Sequence, residues 1–227
     1  MVYDLPGITV KRGERTYILP LKRAPILPLI RAVQRGDLAL VNDLLAKGAN
    51  PNLWDENHVF PLHWAAKGGD VSICAALITA GADVNLRTDV WRRYGGHTPL
   101  HYCALYCALS EELVIKLLLD HGADPNLRCR SFPSSNTAMQ NIILCCKPTV
   151  VFEVIDHLGD RSRFTKLQAM IYAENLEVVR SMLGNGFDAH SKVTQGGSVL
   201  AYAKRLNRSR KSDGLHAIIE LLESHRH

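Results

Sequence analysis

The sequence lacks long apolar runs. No stretch of about 18 uncharged apolar residues occurs, so no segment is suited to crossing a membrane. The most apolar early segment, residues 17–33, is broken by Lys22, Arg23 and Arg31 and by prolines, unlike the uninterrupted apolar centre of a signal peptide. We therefore expect a cytoplasmic or nuclear protein that makes no use of a membrane.

The motifs of several common enzyme classes are also missing. There is no Walker loop and no Gly-x-Ser-x-Gly motif. Gly184-Asn185-Gly186 imitates part of a dinucleotide-binding motif, but it follows a helical apolar pattern rather than a strand. No spacing suggests a nucleophile with its base. We expect no enzymatic activity and no cofactor.

The cysteines fall mostly inside apolar helical patterns. Cys103 and Cys107 are four residues apart with His101 nearby, and Cys145 and Cys146 are adjacent. Zinc sites usually need two close-spaced pairs of ligands, and no such pairing occurs. We therefore favour buried free thiols over disulfides or a metal site.

Positive charge is only mildly in excess, with a net charge of +5. The most basic run contains Lys204, Arg205, Arg208, Arg210 and Lys211. Such a run can hold phosphates or act as a nuclear signal. No aromatic residue is interleaved with it to stack on bases, so we favour a solvated loop.

What the sequence does contain is a repeated pattern. A Pro-Leu step followed by an apolar helical pattern begins at Pro28, Pro61 and Pro99, at spacings of 33 and 38 residues. A glycine-rich motif follows each step, at residues 48–52, 81–85 and 122–126. Proline at the start of a helix removes no hydrogen bond, and glycine just past a helix suits a left-handed C-cap.

This pattern resembles the ankyrin repeat, which has a period near 33, a T-P-L-H-x-A turn and two helices. Residues 98–101 match the first four letters of that turn, with Cys103 in place of the alanine. The preceding unit has Phe60 in place of the threonine. The resemblance implies that His63 and His101 have structural roles, as hydrogen-bond partners of neighbouring backbone.

Weaker copies of the pattern begin at Thr137, Thr165 and Ser198. The resemblance therefore predicts an all-α, ankyrin-like solenoid of about six helix-turn-helix repeats with hairpin-like fingers, occupying residues 26–227. Residues 207–214 are polar, and we predict that they form an inserted loop before the last helix.

Residues 1–25 do not match the repeat and are predicted to form an N-terminal extension or cap. Two segments, 8–10 and 16–19, have the β-branched and aromatic composition of short strands. We favour a hairpin packed on the first repeat, with a disordered leader as the alternative.

The resemblance also implies a function, because ankyrin-like stacks use their fingers and inner helices as a concave face for protein recognition. We predict a scaffold or adaptor, monomeric alone, that binds a protein with an acidic or extended segment. A nucleic-acid-associated regulator that uses its basic surface is the disfavoured alternative. The finger and inner-helix positions considered also include Asp55, Lys67 and Leu105.

The chosen partner-binding residues are aromatic or cationic: Trp54, Arg87, Trp91, Arg92, Arg93, Tyr94, Tyr106, Arg128 and Arg130. Trp, Tyr and Arg dominate interface hot spots, so fingers two and three with Tyr106 are predicted to form the main site. The alternative is that Trp91 and Tyr94 fold back to cover the enlarged second finger.

Overall fold

The structure is a computed structural model that describes residues 7–12, 15–20, 28–88, 94–106, 111–131, 136–159, 164–188 and 197–225. Twelve helices lie within these ranges. The chain divides into two compact units, unit 1 over Met1–Met139 and unit 2 over Gln140–His227.

Unit 1 is built from helix pairs, each with a first and a second helix. Their bounds are α1 Pro28–Gln34, α2 Leu38–Ala46, α3 Pro61–Gly68, α4 Val71–Thr79, α5 Pro99–Tyr106 and α6 Glu111–Asp120. Helix α3 lies against α1 and α5, and α4 lies against α2 and α6. The first helices thus form one layer and the second helices form another.

Local signals set the helix starts and the core of unit 1. The leucine of each Pro-Leu step is buried, at Leu29, Leu62 and Leu100. The second helices begin on aspartate caps, since the carboxylates of Asp37 and Asp70 accept hydrogen bonds from the N–H groups of Leu40 at 3.0 Å and Ile73 at 2.9 Å. Such a cap pairs an N–H group that the helix itself leaves unbonded.

Buried histidines join successive repeats in unit 1. Nε2 of His63 lies 2.9 Å from the carbonyl oxygen of His97, and Nε2 of His101 lies 3.3 Å from that of Asn136. Both side chains are fully buried. The structural role that the resemblance implied for these histidines is therefore confirmed.

The two histidines differ at their second ring nitrogen. Nδ1 of His101 accepts hydrogen bonds from the hydroxyl of Thr98 at 2.8 Å and its N–H at 3.2 Å. Phe60 occupies the position of that threonine before His63, and Nδ1 of His63 has no hydrogen-bond partner among the described residues. Burial lowers the pKa of His63 to about 3, so its ring is neutral at pH 7.

Unit 2 also consists of helices in pairs, and α7 contains the boundary between the units. The bounds are α7 Ala138–Cys145, α8 Pro148–Leu158, α9 Lys166–Tyr172, α10 Leu176–Gly184, α11 Val199–Arg210 and α12 Asp213–Ser224. Helix α9 lies against α8, α10 and α11, while α12 lies against α10 and α11. The first and second helices therefore pack in the same order as in unit 1.

The start of α9 carries a capping box. The hydroxyl of Thr165 accepts from the N–H of Gln168 at 3.2 Å, and the Gln168 side-chain oxygen accepts from the N–H of Thr165 at 2.9 Å. Gln168 is buried at the position that His63 and His101 occupy in unit 1. A neutral amide side chain therefore takes the place of the histidine in this repeat.

Glu174 links two helix connections of unit 2. It has a left-handed backbone, with φ of 57°. Its carboxylate accepts hydrogen bonds from the guanidinium of Arg210 at 3.2 Å and from the hydroxyl of Ser212. Arg210 also donates to the carbonyl oxygen of Tyr172 at 2.8 Å and lies 4.2 Å from the ring centroid of Tyr172.

Two short antiparallel strand pairs accompany the helices. Strands β1 Gly7–Arg12 and β2 Arg15–Pro20 pair with each other, with Gly7 opposite Pro20. Strands β3 Tyr94–Gly95 and β4 Arg130–Ser131 pair fingers two and three. The first pair includes the segments 8–10 and 16–19, whereas packing of this pair on the first repeat stays a prediction.

The predicted architecture of helix-turn-helix repeats is confirmed. The first helices of the repeats begin at Pro28, Pro61, Pro99, Ala138, Lys166 and Val199, at or one residue after the predicted starts. The inserted loop over residues 207–214 was wrong. Helix α11 continues to Arg210, and α12 begins at Asp213. The arginine, lysine and leucine residues of the segment 204–210 favour helix. The short connection is held because the side chain of Asn207 accepts from the N–H of Ser212 at 3.0 Å.

Among the described helices, none combines the length and the apolar character that spanning a bilayer requires. The described residues also hold no cluster of three or more His, Cys, Asp or Glu side chains placed to bind a metal ion. Cys74, Cys103 and Cys129 are buried, whereas Cys145 is exposed.

Candidate functional site

The layer of first helices in unit 1 carries a cluster of aromatic rings and one lysine. We call this cluster the aromatic face and define it as Trp54, Trp64, Lys67, Tyr102 and Tyr106. Trp64 and Lys67 stand on α3, Tyr102 and Tyr106 stand on α5, and Trp54 lies in the finger before α3. Because α3 and α5 pack side by side, these side chains lie on neighbouring helices of one layer.

Lys67 lies close to two aromatic rings. Its Nζ is 5.0 Å from the ring centroid of Trp64 and 5.3 Å from that of Tyr106. Trp64 and Lys67 are three residues apart on α3, which places them on the same side of the helix. A lysine over aromatic rings is stabilised by their quadrupoles. In the described part of the chain, Lys67 forms no ion pair with a carboxylate.

Asp55 fixes the position of the Trp64 side chain through a hydrogen bond. One carboxylate oxygen accepts from the indole N–H of Trp64 at 3.0 Å. The other accepts from the backbone N–H groups of Asn57 at 2.8 Å and Val59 at 3.0 Å. Asp55 is 7% exposed, so it serves the finger and the tryptophan rather than a partner. Its inclusion among the predicted finger contacts was therefore wrong.

Tyr102 connects the buried histidines to the surface. Its ring centroid lies 5.0 Å from that of His63 and 5.5 Å from that of Tyr106, both edge to face. Burial, followed by the nearby Tyr106 and Asp55, raises the pKa of Tyr102 to about 12, so its hydroxyl stays protonated at neutral pH. Edge-to-face packing of this kind stiffens the ring cluster.

The outer members of the aromatic face are open to solvent. Tyr106 is 57% exposed and Trp54 is 45% exposed. The ring centroid of Trp54 lies 5.9 Å from that of Phe60 and 6.1 Å from that of His58. Leu105, next to Tyr106, is also exposed. Exposed large aromatic side chains on a rigid layer are typical of interface anchors.

A cleft of about 530 Å³ borders the aromatic face. It lies between the carboxyl ends of α1 and α3, and its walls include Gln34, Arg35, Trp64, Lys67 and Asp70. Trp64 and Lys67 thus belong both to the aromatic face and to the cleft.

The structure shows different environments for the predicted partner-binding residues. Trp54 and Tyr106 are exposed members of the aromatic face. Arg87 is exposed, and its guanidinium donates to the carbonyl oxygens of Gly96 at 3.3 Å and Arg128 at 2.5 Å. These bonds tie finger two to finger three.

The remaining predicted residues belong to fingers two and three. Trp91, Arg92 and Arg93 lie outside the described residues. The backbones of Tyr94 and Arg130 are brought together by the β3–β4 pairing. Arg128 is exposed, and its backbone pairs with Thr137 in a single bridge. A partner contact by these residues stays a prediction.

Sequence reasoning missed Trp64 and Tyr102. Both stand at the x position of the T-P-L-H-x-A turn, directly after the buried histidine. Two successive repeats therefore carry an aromatic residue at a position that the turn leaves variable. That coincidence was the available signal, and it pointed to the face of the first helices rather than to the fingers.

Comparisons with known proteins agree with the fold of helix-turn-helix repeats. Residues 29–129 match the family model for ankyrin repeats, in three copies. In a crystal structure, the ankyrin repeat domain of human ASB11 has a TM-score of 0.55 and 23% sequence identity, over 88% of this chain and 84% of that chain. This likeness shows the fold.

Curated relatives match this chain over part of their own length, at sequence identities of 26% and 36%. Palmitoyltransferase AKR1 of Lachancea kluyveri is 26% identical over 221 residues, covering 78% of this chain and 29% of that protein. Potassium channel SKOR of Arabidopsis thaliana is 36% identical over 132 residues, covering 58% of this chain and 14% of the channel. The chain thus spans less than a third of the length of either relative.

Proposed function

The chain belongs to the ankyrin repeat family, and on that premise we propose that it is a non-catalytic scaffold or adaptor whose aromatic face binds an acidic segment of a partner protein. Ankyrin repeats are in general protein–protein interaction modules. One observation carries the finer proposal. Lys67 lies over Trp64 and Tyr106 without a carboxylate partner in the described residues, beside aromatic rings that remain exposed.

A carboxylate of the partner protein would give Lys67 the ion-pair partner that it lacks among the described residues. Binding it next to Lys67 would form an ion pair that the rings of Trp64 and Tyr106 partly shield from water, which strengthens the attraction. Apolar side chains flanking the carboxylate would cover Trp54 and Leu105. The cleft beside α1 gives the segment a continuation past Gln34 and Arg35.

The proposed compartment is the cytoplasm or the nucleus. Cys74, Cys103 and Cys129 are buried and form no disulfide within the described residues, which fits a reducing compartment. A single-chain, monomeric state is proposed for the protein alone.

Affinity capture from cells with quantitative mass spectrometry tests the proposal. Lys67→Gln and Tyr106→Ala should each lower partner affinity about tenfold, as expected for residues at the centre of an interface. Lys47→Gln and Leu113→Ala are the matched controls, since Lys47 is an exposed lysine at the C-cap of α2 and Leu113 is an exposed apolar residue of α6. Equal losses in variants and controls would exclude the aromatic face.

Salt separates this proposal from the nucleic-acid alternative. A complex driven by phosphates loses affinity steeply as salt rises, whereas an interface anchored by aromatic residues loses less. Partner capture should therefore survive nuclease treatment and a moderate rise in salt. Loss of all captured material after nuclease treatment would favour the nucleic-acid-associated regulator.

A further inference from the structure

Unit 2 contains a cleft of about 690 Å³ between α11 and α12. We call it the basic cleft. Its lining includes Lys204, Arg208, Lys211, Asp213, His216 and Ile219. None of these residues belongs to the aromatic face, so a role for the cleft is independent of the function proposed above.

Helix geometry divides the basic run of the sequence into two groups. Lys204 and Arg208 are four residues apart on one side of α11, and Lys211 follows directly after the last residue of that helix. Arg205 and Arg210 do not line the cleft. Arg205 lies 5.7 Å from the ring centroid of Tyr202, and Arg210 is bound to Glu174. Lys204, Arg208 and Lys211 are therefore the lysines and arginines of the cleft.

The charges in the cleft are only partly compensated. Lys204 pairs with Glu223 at 2.6 Å, and Nε2 of His216 lies 3.5 Å from the carboxylate of Glu220. Arg208 and Lys211, by contrast, form no ion pair with a carboxylate in the described ranges of the chain. The carboxylate of Asp213 also lines the cleft. Two cations are thus available to a compact anion.

The backbone of Lys211 supports a role for its side chain. Lys211 has φ of 52° and ψ of 51°, a left-handed conformation that disfavours residues other than glycine by about 1 kcal/mol. The corresponding turns of unit 1 use Gly36 and Gly69, with φ of 69° and 71°. A lysine at this position brings a cation to the cleft at a conformational cost that glycine would avoid. Unfavourable backbone geometry retained in this way is typical of functional positions.

The surroundings of the cleft restrict the kind of anion. No Phe, Tyr or Trp side chain stands among its described lining residues, which disfavours stacking on nucleic-acid bases. In the described residues of α11 and α12, no large apolar side chain is exposed that could insert into a bilayer. The carboxylates of Glu220 and Glu223 contact the lining residues His216 and Lys204, and would repel an extended anionic surface.

We propose that the basic cleft binds the phosphate group of a phosphorylated serine or threonine in a peptide segment of a partner protein. Arg208 offers a planar, two-pronged donor that matches phosphate oxygens, and Lys211 offers a second cation. Lys204 adds a third, shared with Glu223. Ile219, buried at the base of the cleft, gives the adjoining peptide an apolar contact.

Two immobilised peptide libraries test this proposal on the full chain, one with phosphoserine or phosphothreonine at a fixed position and one with the unmodified residue there. The phosphorylated library should retain the protein, and the unmodified library should not. Arg208→Gln should weaken retention about tenfold, the loss expected for one charge-assisted contact. The matched control is Arg205→Gln, because both arginines are exposed on α11 and only Arg208 lines the cleft.

A second variant keeps the test independent of folding. Lys211→Gly should fold at least as well as the natural chain, because glycine accepts the left-handed backbone, yet it should also weaken retention about tenfold. Equal retention by both libraries, or equal loss in Arg205→Gln, would overturn the proposal. Stronger Arg208-dependent binding to single-stranded RNA, or to vesicles of phosphatidylcholine and phosphatidylserine, would overturn it as well.

Discussion

In unit 1, Asn52 and Asn85 occupy the same position of successive repeats and make the same two hydrogen bonds to the next repeat. The amide of Asn52 donates to the carbonyl oxygen of Gly81 and its oxygen accepts from the N–H of Asp83, each at 2.9 Å. Asn85 does the same with Gly122 at 2.9 Å and Asp124 at 2.8 Å. Together with His63 and His101, these asparagines form a side-chain to backbone pattern that recurs with each repeat.

Unit 2 holds its helices together differently. Its helix connections meet at one carboxylate, Glu174, which binds Arg210 and Ser212. Non-glycine residues, Glu174 and Lys211, take the left-handed positions that Gly36 and Gly69 take in unit 1. The comparison teaches that unit 1 repeats one solution in successive repeats, whereas the network around Glu174 occurs once within the described residues of unit 2.

The largest effect is expected from His101→Ala. This change removes hydrogen bonds to Thr98 and Asn136 and leaves a cavity, which should lower the free energy of unfolding by about 3 kcal/mol. Urea unfolding followed by tryptophan fluorescence measures it, because Trp54, Trp64 and Trp91 all belong to unit 1. His121→Ala is the exposed control. If both variants lose the same stability, the buried histidine does not hold the repeats together.

Acid should weaken unit 1 through His63. Its pKa is lowered to about 3 in the folded state from 6.5, so the unfolded chain binds the proton more readily at pH values between these two. Stability is therefore lost as pH falls below 6.5, by about 2–3 kcal/mol at a pH near 4.5. His63→Gln, which copies Gln168 of unit 2, should remove this component from the pH profile of urea unfolding. An identical profile in the variant would contradict the assignment.

Glu174→Ala should destabilise unit 2 by about 2 kcal/mol, since it leaves Arg210 and Ser212 without their shared acceptor. Hydrogen exchange of peptides from α9 to α12 should accelerate. Glu177→Ala is the control, because Glu177 is 82% exposed in a pair with Arg180 and should change stability by less than about 0.5 kcal/mol. Similar exchange in the two variants would show that the network is dispensable.

Sequence patterns predicted the helix starts because the signals are local. Proline at Pro61 and Pro99, and the hydroxyl or amide caps at Thr165, Asn175 and Ser198, act within one helical turn. The fold of both units was therefore accessible from sequence, including the weak repeats of unit 2.

The site was less accessible, because it depends on contacts between distant residues. The guanidinium of Arg87 donates to the carbonyl oxygen of Arg128, 41 residues away, and a partner contact by this exposed arginine stays a prediction. Asp55 is buried because it must bond Trp64 and two backbone N–H groups at once. Only the fold reveals that Lys67 meets Tyr106 across two helices.

The smallest effect is expected from Lys211→Gly, which should raise the stability of unit 2 by about 0.5–1 kcal/mol by relieving the left-handed backbone. Slower hydrogen exchange near the start of α12 would show it. Gly36→Lys in unit 1 is the reverse change and should destabilise by a similar amount, because Gly36 has φ of 69°. A loss of stability in Lys211→Gly would mean that the lysine side chain itself holds the turn.

Site-specific photo-crosslinking tests the role of the aromatic face most directly. A photoreactive phenylalanine analogue replaces Tyr106 in one form of the protein and Leu113 in another, both more than half exposed at 57% and 58%. Crosslinking to a partner from position 106, absent from position 113 and lost when Lys67 is changed to Gln, is the predicted result. Equal crosslinking from both positions, or crosslinking from position 113 alone, would contradict it.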